Sequence, residues 1–230
     1  MESSTLADRV YENLKQRILR QEFPCGERLN IAALAKDLNV SNTPVREAIS
    51  RLEKVGLVKT IPYRGPFVRS LSRSETAEVY DVRISLEVLA ARLAALHASA
   101  GDLARLQERL EEYATARSEG SVDEILYADL RFHEVVAQAS GNRTLIDMLS
   151  MLSDWTLLFM QFGLPPSRST NSAGPTHQRI LDAIRSGDKE LAAETMREHL
   201  VLGKASLKKA IEDPAGLPVS DSEPAYMDAW

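Results

Sequence analysis

The chain has 230 residues, 44% hydrophobic and 27% charged, and no apolar run nears the ~20 residues that span a bilayer. Its single cysteine, Cys25, excludes an intramolecular disulfide, and the polar opening MESSTLADRVYENLKQ is unlike a secretory signal, so a cytoplasmic protein is expected. The net charge of −5 hides a division: residues 1–73 carry 13 Lys+Arg and 8 Asp+Glu, a net of +5, whereas residues 74–230 carry a net of −10. A basic front and an acidic rear predict two parts with different partners.

In LADRVYENLKQRILRQ, Leu6, Val10, Leu14 and Ile18 form an i, i+4 stripe, which predicts an amphipathic helix. FPCGERL breaks it, and Cys25 in that turn is read as incidental. NIAALAKDLNV is a short alanine-rich helix. SNTPVREAISRLEKVG is a second, with Ser41 or Asn42 as N-cap, Pro44 in the first turn and Gly56 at the end. Two short helices separated by a tight turn predict a helix-turn-helix. In LVKTIPYRGPFVRSL, Val58, Ile61, Phe67 and Val68 flank a Tyr63–Pro66 turn, which predicts a two-stranded wing. Such a head docks the second helix in the major groove of double-stranded DNA. Ser41, Asn42 and Thr43 then meet phosphates or base edges, and Arg46, one turn on, reaches a base. Arg64 at the wing tip is placed for the adjacent minor groove, with Gly65 permitting close backbone approach.

After SLSRSE, helical periodicity runs almost unbroken. Six helices are expected, at roughly 74–99, 102–118, 121–140, 142–163, 170–186 and 188–212, divided by Gly-, Asp- and Asn-containing breaks. With no strand-like run, the expectation is an antiparallel helical bundle, followed by a Pro/Ser/acid-rich tail.

Only four histidines occur. His133 lies four residues after Asp129 in DLRFH, so on a helix the two share a face. Alone, such a pair is an ordinary surface pair. His177 precedes the turn residue Asp188 by 11 positions and His199 follows it by 11, which puts them at one height in an antiparallel hairpin. A third helix can bring Asp129 and His133 to the same level. Three imidazoles and a carboxylate suit a divalent transition metal, zinc first and nickel or manganese as alternatives, with positions left for a ligand. His97 has no such partner. Arg83, in YDVRISLE, is either a clamp for an effector carboxylate or an i, i+4 partner of Glu87. Asn142 and Arg143 are weaker candidates.

The front third resembles the winged-helix domain of the GntR family of bacterial transcriptional regulators, through GERLNIAALAKDLNVSNTPVREAISRLEKVGLV and PYRGPFV. Family members usually carry a basic residue where this chain has Asn42, so a different base preference is expected. The rear resembles the FCD domain of the FadR subfamily, through DVRISLEVLAARLAA, DLRFHEVVAQASGN, HQRILDAIRSGD and REHL. The helix count is more similar to the VanR-like group than to FadR itself. The resemblance implies a mainly α protein: a winged helix-turn-helix at 1–71, a linker at 72–74, an all-α antiparallel bundle at 75–212 and a tail at 213–230. It also implies metal ligation by Asp129, His133, His177 and His199.

The expected function is a metabolite-responsive repressor. It would bind an inverted-repeat DNA operator as a homodimer and a small organic acid at or near the metal. A metal sensor is the alternative, and a metalloenzyme the less favoured one. FHEVV lacks the second histidine of a zincin, since Ala137 stands there, and Glu134 falls on another helix face. No phosphate loop or nucleophile elbow is present.

Overall fold

The computed structural model describes residues 5–70, 73–163 and 173–212. They form two compact units that part between Ser72 and Arg73. Residues 71–72, the break at 164–172 and the expected tail at 213–230 lie outside the described residues. No described helix is long and apolar enough to cross a membrane.

The first unit runs α1 (Leu6–Leu19), α2 (Ile31–Asp37), α3 (Asn42–Lys54), β1 (Val58–Ile61) and β2 (Gly65–Val68). Thr5 starts α1 with a capping box: its hydroxyl accepts from the Asp8 N–H at 3.1 Å, and the Asp8 carboxylate accepts from the Thr5 N–H at 2.8 Å. Of the expected stripe, Val10, Leu14 and Ile18 are buried, whereas Leu6, in the first turn, is 44% exposed. They pack with Val45, Ala48, Ile49 and Leu52 of α3, and burial of each large apolar side chain stabilises the unit by about 1.5–3 kcal/mol. Arg51 binds Asp8 at 2.6 Å and lies 4.2 Å over the Tyr11 ring, and Arg17 binds Asp37 at 2.7 Å. As exposed pairs these orient the helices more than they stabilise them.

Gly56 ends α3 at φ +75°, and the Leu57 N–H closes on the Leu52 carbonyl at 2.9 Å. The strands pair antiparallel from Val58↔Val68 to Ile61↔Gly65. The segment read in the sequence only as a break also joins this sheet. Gly26 N–H donates to Val68 O, Val68 N–H to Glu27 O and Leu29 N–H to Pro66 O, at 2.8–2.9 Å.

The second unit holds α4 (Arg73–His97), α5 (Ala100–Glu119), α6 (Val122–Ala139), α7 (Arg143–Gly163), α8 (Ala173–Ser186) and α9 (Lys189–Glu212). Ser99 with Asp102, and Ser121 with Glu124, form capping boxes that start α5 and α6. Gly187 turns the chain at φ +75°, and Asp188 caps α9 by accepting from Glu190 and Leu191 N–H at 3.1 and 3.0 Å. That two-residue turn makes α8 and α9 a tight hairpin. α4 packs along α9 and also meets α6 and α8, so these four helices enclose a common interior. Tyr80, Phe132, Ile180, Leu181 and Met196 fill it.

Candidate metal centre and nucleic-acid interface

Three of the four enclosing helices contribute to one buried polar cluster. Asp129 and His133 come from α6, one turn apart. His177 comes from α8 and His199 from α9, at matched heights in the hairpin, with ring centroids 4.4 Å apart. All four are buried, and one potential ligand atom from each lies within 4.8 Å of the others. His133 Nε2 is 3.0 Å from His199 Nε2 and 3.9 Å from Asp129 Oδ2. Asp129 Oδ1 is 3.1 Å from His177 Nε2, yet that contact fails hydrogen-bond geometry, and both ring nitrogens of His177 lack a hydrogen-bond partner. Tyr113 and Phe132 wall that ring, with centroids 4.6 and 4.7 Å away.

The charges follow from this placement. Burial alone would raise the Asp129 carboxyl, but the surrounding imidazoles, His177 foremost, hold it well below the usual carboxylate range. Burial pushes His177 below its ordinary value, with Asp129 opposing. Burial and then the neighbouring His177 and His133 push His199 well below. An ionised carboxylate beside His177 and His199, both biased towards neutrality, and the further imidazole of His133 form a donor set that suits a transition metal. Buried imidazole nitrogens that make no hydrogen bond also cost stability unless something binds them. The residues therefore fit a divalent metal.

Around this cluster lies a layer that sequence reasoning recognised only in part. Arg83 is 3% exposed, and its Nε donates to Glu87 Oε1 at 2.5 Å. The i, i+4 pair therefore forms, but in the interior rather than on the surface. Glu87 Oε2 in turn meets His133 Nδ1. Burial works against the Glu87 charge, but Arg83 and His133 outweigh it and bring the carboxyl to about 2. Thr176 Oγ1 meets His199 Nδ1 at 2.8 Å. Thr176 precedes His177 directly in sequence. The Arg83–Glu87 spacing was readable, but its contact with α6 was not.

In the first unit, Ser41 occupies the N-cap of α3 with extended backbone, but its side chain makes no capping hydrogen bond. Ser41, Asn42, Thr43 and Arg46 are all exposed at the start of this helix, while Pro44, Val45, Ala48 and Ile49 face the core. Arg64 is exposed on the wing with its guanidinium 5.7 Å from the Phe67 ring centroid. Gly65 has φ +95°, and a Cβ there would meet the Arg28 guanidinium at 3.7 Å. Arg28 thus joins the wing surface, which its place in the chain did not reveal. Tyr63, fully exposed at the turn, holds φ +62°, an uncommon conformation for an aromatic residue.

Burial raises the Cys25 thiol to about 12, so it is not an activated nucleophile. His97 is exposed at the end of α4. Asn142 Oδ1 accepts from the Leu145 N–H at 3.1 Å, as a cap for α7, and Arg143 is exposed. Glu134 is exposed and accepts from Gln138 at 3.0 Å.

Comparison with known proteins agrees with this architecture. Residues 6–68 match the bacterial regulatory proteins of the gntR family, and residues 78–202 match the FCD domain. The uncharacterized HTH-type transcriptional regulator YdhC of Bacillus subtilis is 32% identical over 204 residues, covering 88% of this chain and 91% of that protein. A probable D-xylose utilization operon transcriptional repressor of Paenarthrobacter nicotinovorans is 30% identical over 201 residues, covering 86% of each. The solved structure of E. coli McbR/YncC matches with a TM-score of 0.79 at 26% identity, covering 91% of this chain and 100% of that one. The helix-turn-helix with its wing, the helical bundle and these relatives agree: the chain belongs to the gntR family of DNA-binding bacterial regulators, carries an FCD domain, and is a transcriptional regulator rather than an enzyme.

Proposed function

We propose that the protein is a metabolite-responsive repressor whose FCD domain holds a divalent transition metal and binds a small organic acid there. The observation that carries this reading is the convergence of Asp129, His133, His177 and His199, with His177 buried, neither ring nitrogen hydrogen-bonded, and Nε2 3.1 Å from Asp129 Oδ1. These four residues would hold the ion. Zinc suits three imidazoles and one carboxylate, with nickel or manganese as alternatives. When bound, the ion supplies a Lewis-acidic position for a carboxylate. The protein supplies a buried surrounding and the Arg83 guanidinium, its Nε committed to Glu87.

The first unit would read double-stranded DNA. Ser41, Asn42 and Thr43 present the N-terminal turn of α3 to phosphates and base edges, and Arg46 reaches a base bidentately. Arg64 and Gly65 bring the wing to the minor groove. The functional division is 1–71 for DNA, 75–212 for metal and effector, and 213–230 as tail, in a cytoplasmic protein, with the expected linker at 72–74 running into α4, which already begins at Arg73. The naming of one relative as a probable repressor of a sugar-utilization operon supports the sign of regulation.

The working form is a homodimer on an inverted repeat. On α4, Val82, Leu89 and Leu96 recur every seven residues and are 51%, 41% and 53% exposed. An exposed apolar stripe of that period suits a second copy of the same helix. A thermal-shift screen of small organic acids against metal-loaded protein, followed by gel shifts at stated salt, tests the reading. An acid that stabilises the protein and weakens operator binding supports it. Operator binding indifferent to every acid, but tracking free metal, would instead make the protein a metal sensor.

A further inference from the structure

We propose that Glu87, locked in place by Arg83, is the positioning residue that aims His133 at the metal. The proposal deepens the metal reading and rests on it.

A neutral imidazole carries a proton on one nitrogen and a lone pair on the other, and the partner of the first fixes the second. Glu87 Oε2 sits against His133 Nδ1. A carboxylate only accepts, so Nδ1 carries the proton and the Nε2 lone pair faces the space shared with His199 Nε2, 3.0 Å away, and Asp129 Oδ2, 3.9 Å away. The other Glu87 oxygen is held by Arg83 Nε at 2.5 Å. One carboxylate thus bridges a guanidinium on α4 to an imidazole on α6. Arg83 and Glu87 are 3% and 4% exposed. A buried ion pair is a poor stability device, since desolvation offsets its attraction. Its position beneath a candidate ligand gives it a reason that stability does not.

The three imidazoles differ in their support. His133 has an anion behind it. His199 has a hydroxyl, Thr176 Oγ1, at 2.8 Å from Nδ1. His177 has nothing on Nδ1. An anionic partner orients the ring, and loss of such a partner typically weakens metal affinity about 10–100-fold. Glu87 is therefore the outer residue on which metal affinity depends most. Arg83 serves the site through it, even in the absence of any effector.

Two measurements on the full chain test this, with Co²⁺ as the metal probe. Removing only Glu87 would strand a buried guanidinium and endanger the fold, so the variant is Arg83→Met/Glu87→Met, which removes both charges. The expected result is a metal-free melting temperature near that of the parent, with Co²⁺ affinity about 10–100-fold lower. Thr176→Val should lower it less. The second measurement needs no variant. Nitrogen NMR of metal-free parent protein should show His133 protonated on Nδ1 and bare on Nε2. A His133 protonated on Nε2, or a folded double variant with parental Co²⁺ affinity, overturns the proposal and leaves the metal reading standing. Failure of the parent protein to bind Co²⁺ overturns both.

Discussion

His177 and His199 face each other across the α8–α9 hairpin with ring centroids 4.4 Å apart, each 11 residues from Asp188 in the turn. A two-residue turn between the two helices fixes that meeting. Every proposed property of the interior depends on it.

Metal should stabilise the second unit through this pair. Saturation at about a hundred times Kd adds ~2.7 kcal/mol to a native state that alone binds the ion. Differential scanning calorimetry should show the rise in parent protein. Asp129→Ala and His133→Ala should abolish it, and should blunt the response to effector while leaving operator DNA binding by metal-free protein intact. A rise of the same size in either variant would place the ion elsewhere.

Acid should destabilise metal-free protein in a defined window. His177 and His199 have folded values below the ordinary 6.5, so below that pH the unfolded chain takes up protons the folded chain refuses. Stability contributed by these two groups is therefore present above pH 6.5 and is lost as pH falls towards their folded values. The depressed carboxyls of Glu87 and Asp129 lose their contribution only below their unfolded values of 4.5 and 3.8. Urea midpoints at about pH 7.5 and about pH 5.5 separate the two effects, and equal midpoints would contradict the histidine assignment.

On DNA, Arg46→Ala should cost about 1–3 kcal/mol and relax preference at one base position. Arg64→Ala should weaken all sequences more evenly and flatten the salt dependence of binding. Fluorescence anisotropy across a salt series distinguishes these patterns. Equal loss on specific and random DNA for Arg46→Ala would reassign that residue to the backbone.

The α4 stripe gives a test of assembly. Leu89→Glu puts a charge in the middle of an apolar seam and should shift the protein from dimer towards monomer in analytical ultracentrifugation. An unchanged sedimentation coefficient would move the interface to another face.

How far these features were legible depended on whether the signal was local. The α6 pair was readable because i, i+4 spacing alone puts Asp129 and His133 on one face. His177 and His199 were readable because the Gly187–Asp188 turn sets their height from chain positions alone. The role of Glu87 was not readable. The spacing shows Arg83 beside it but not that α4 packs against α6 and buries the pair beneath His133. Likewise, the segment around Gly26–Leu29 looked like a simple break because its sheet partners, Pro66 and Val68, lie some forty residues on. Ser41 was read correctly by place, but its hydroxyl leaves the helix start uncapped, a rotamer that sequence does not encode.

The most direct test is elemental analysis of protein purified without chelator, comparing the parent with His199→Ala. The account predicts close to one transition metal per chain in the parent and essentially none in a variant that still folds. Equal metal in both, or none in the parent even after incubation with zinc, nickel and manganese, would contradict it.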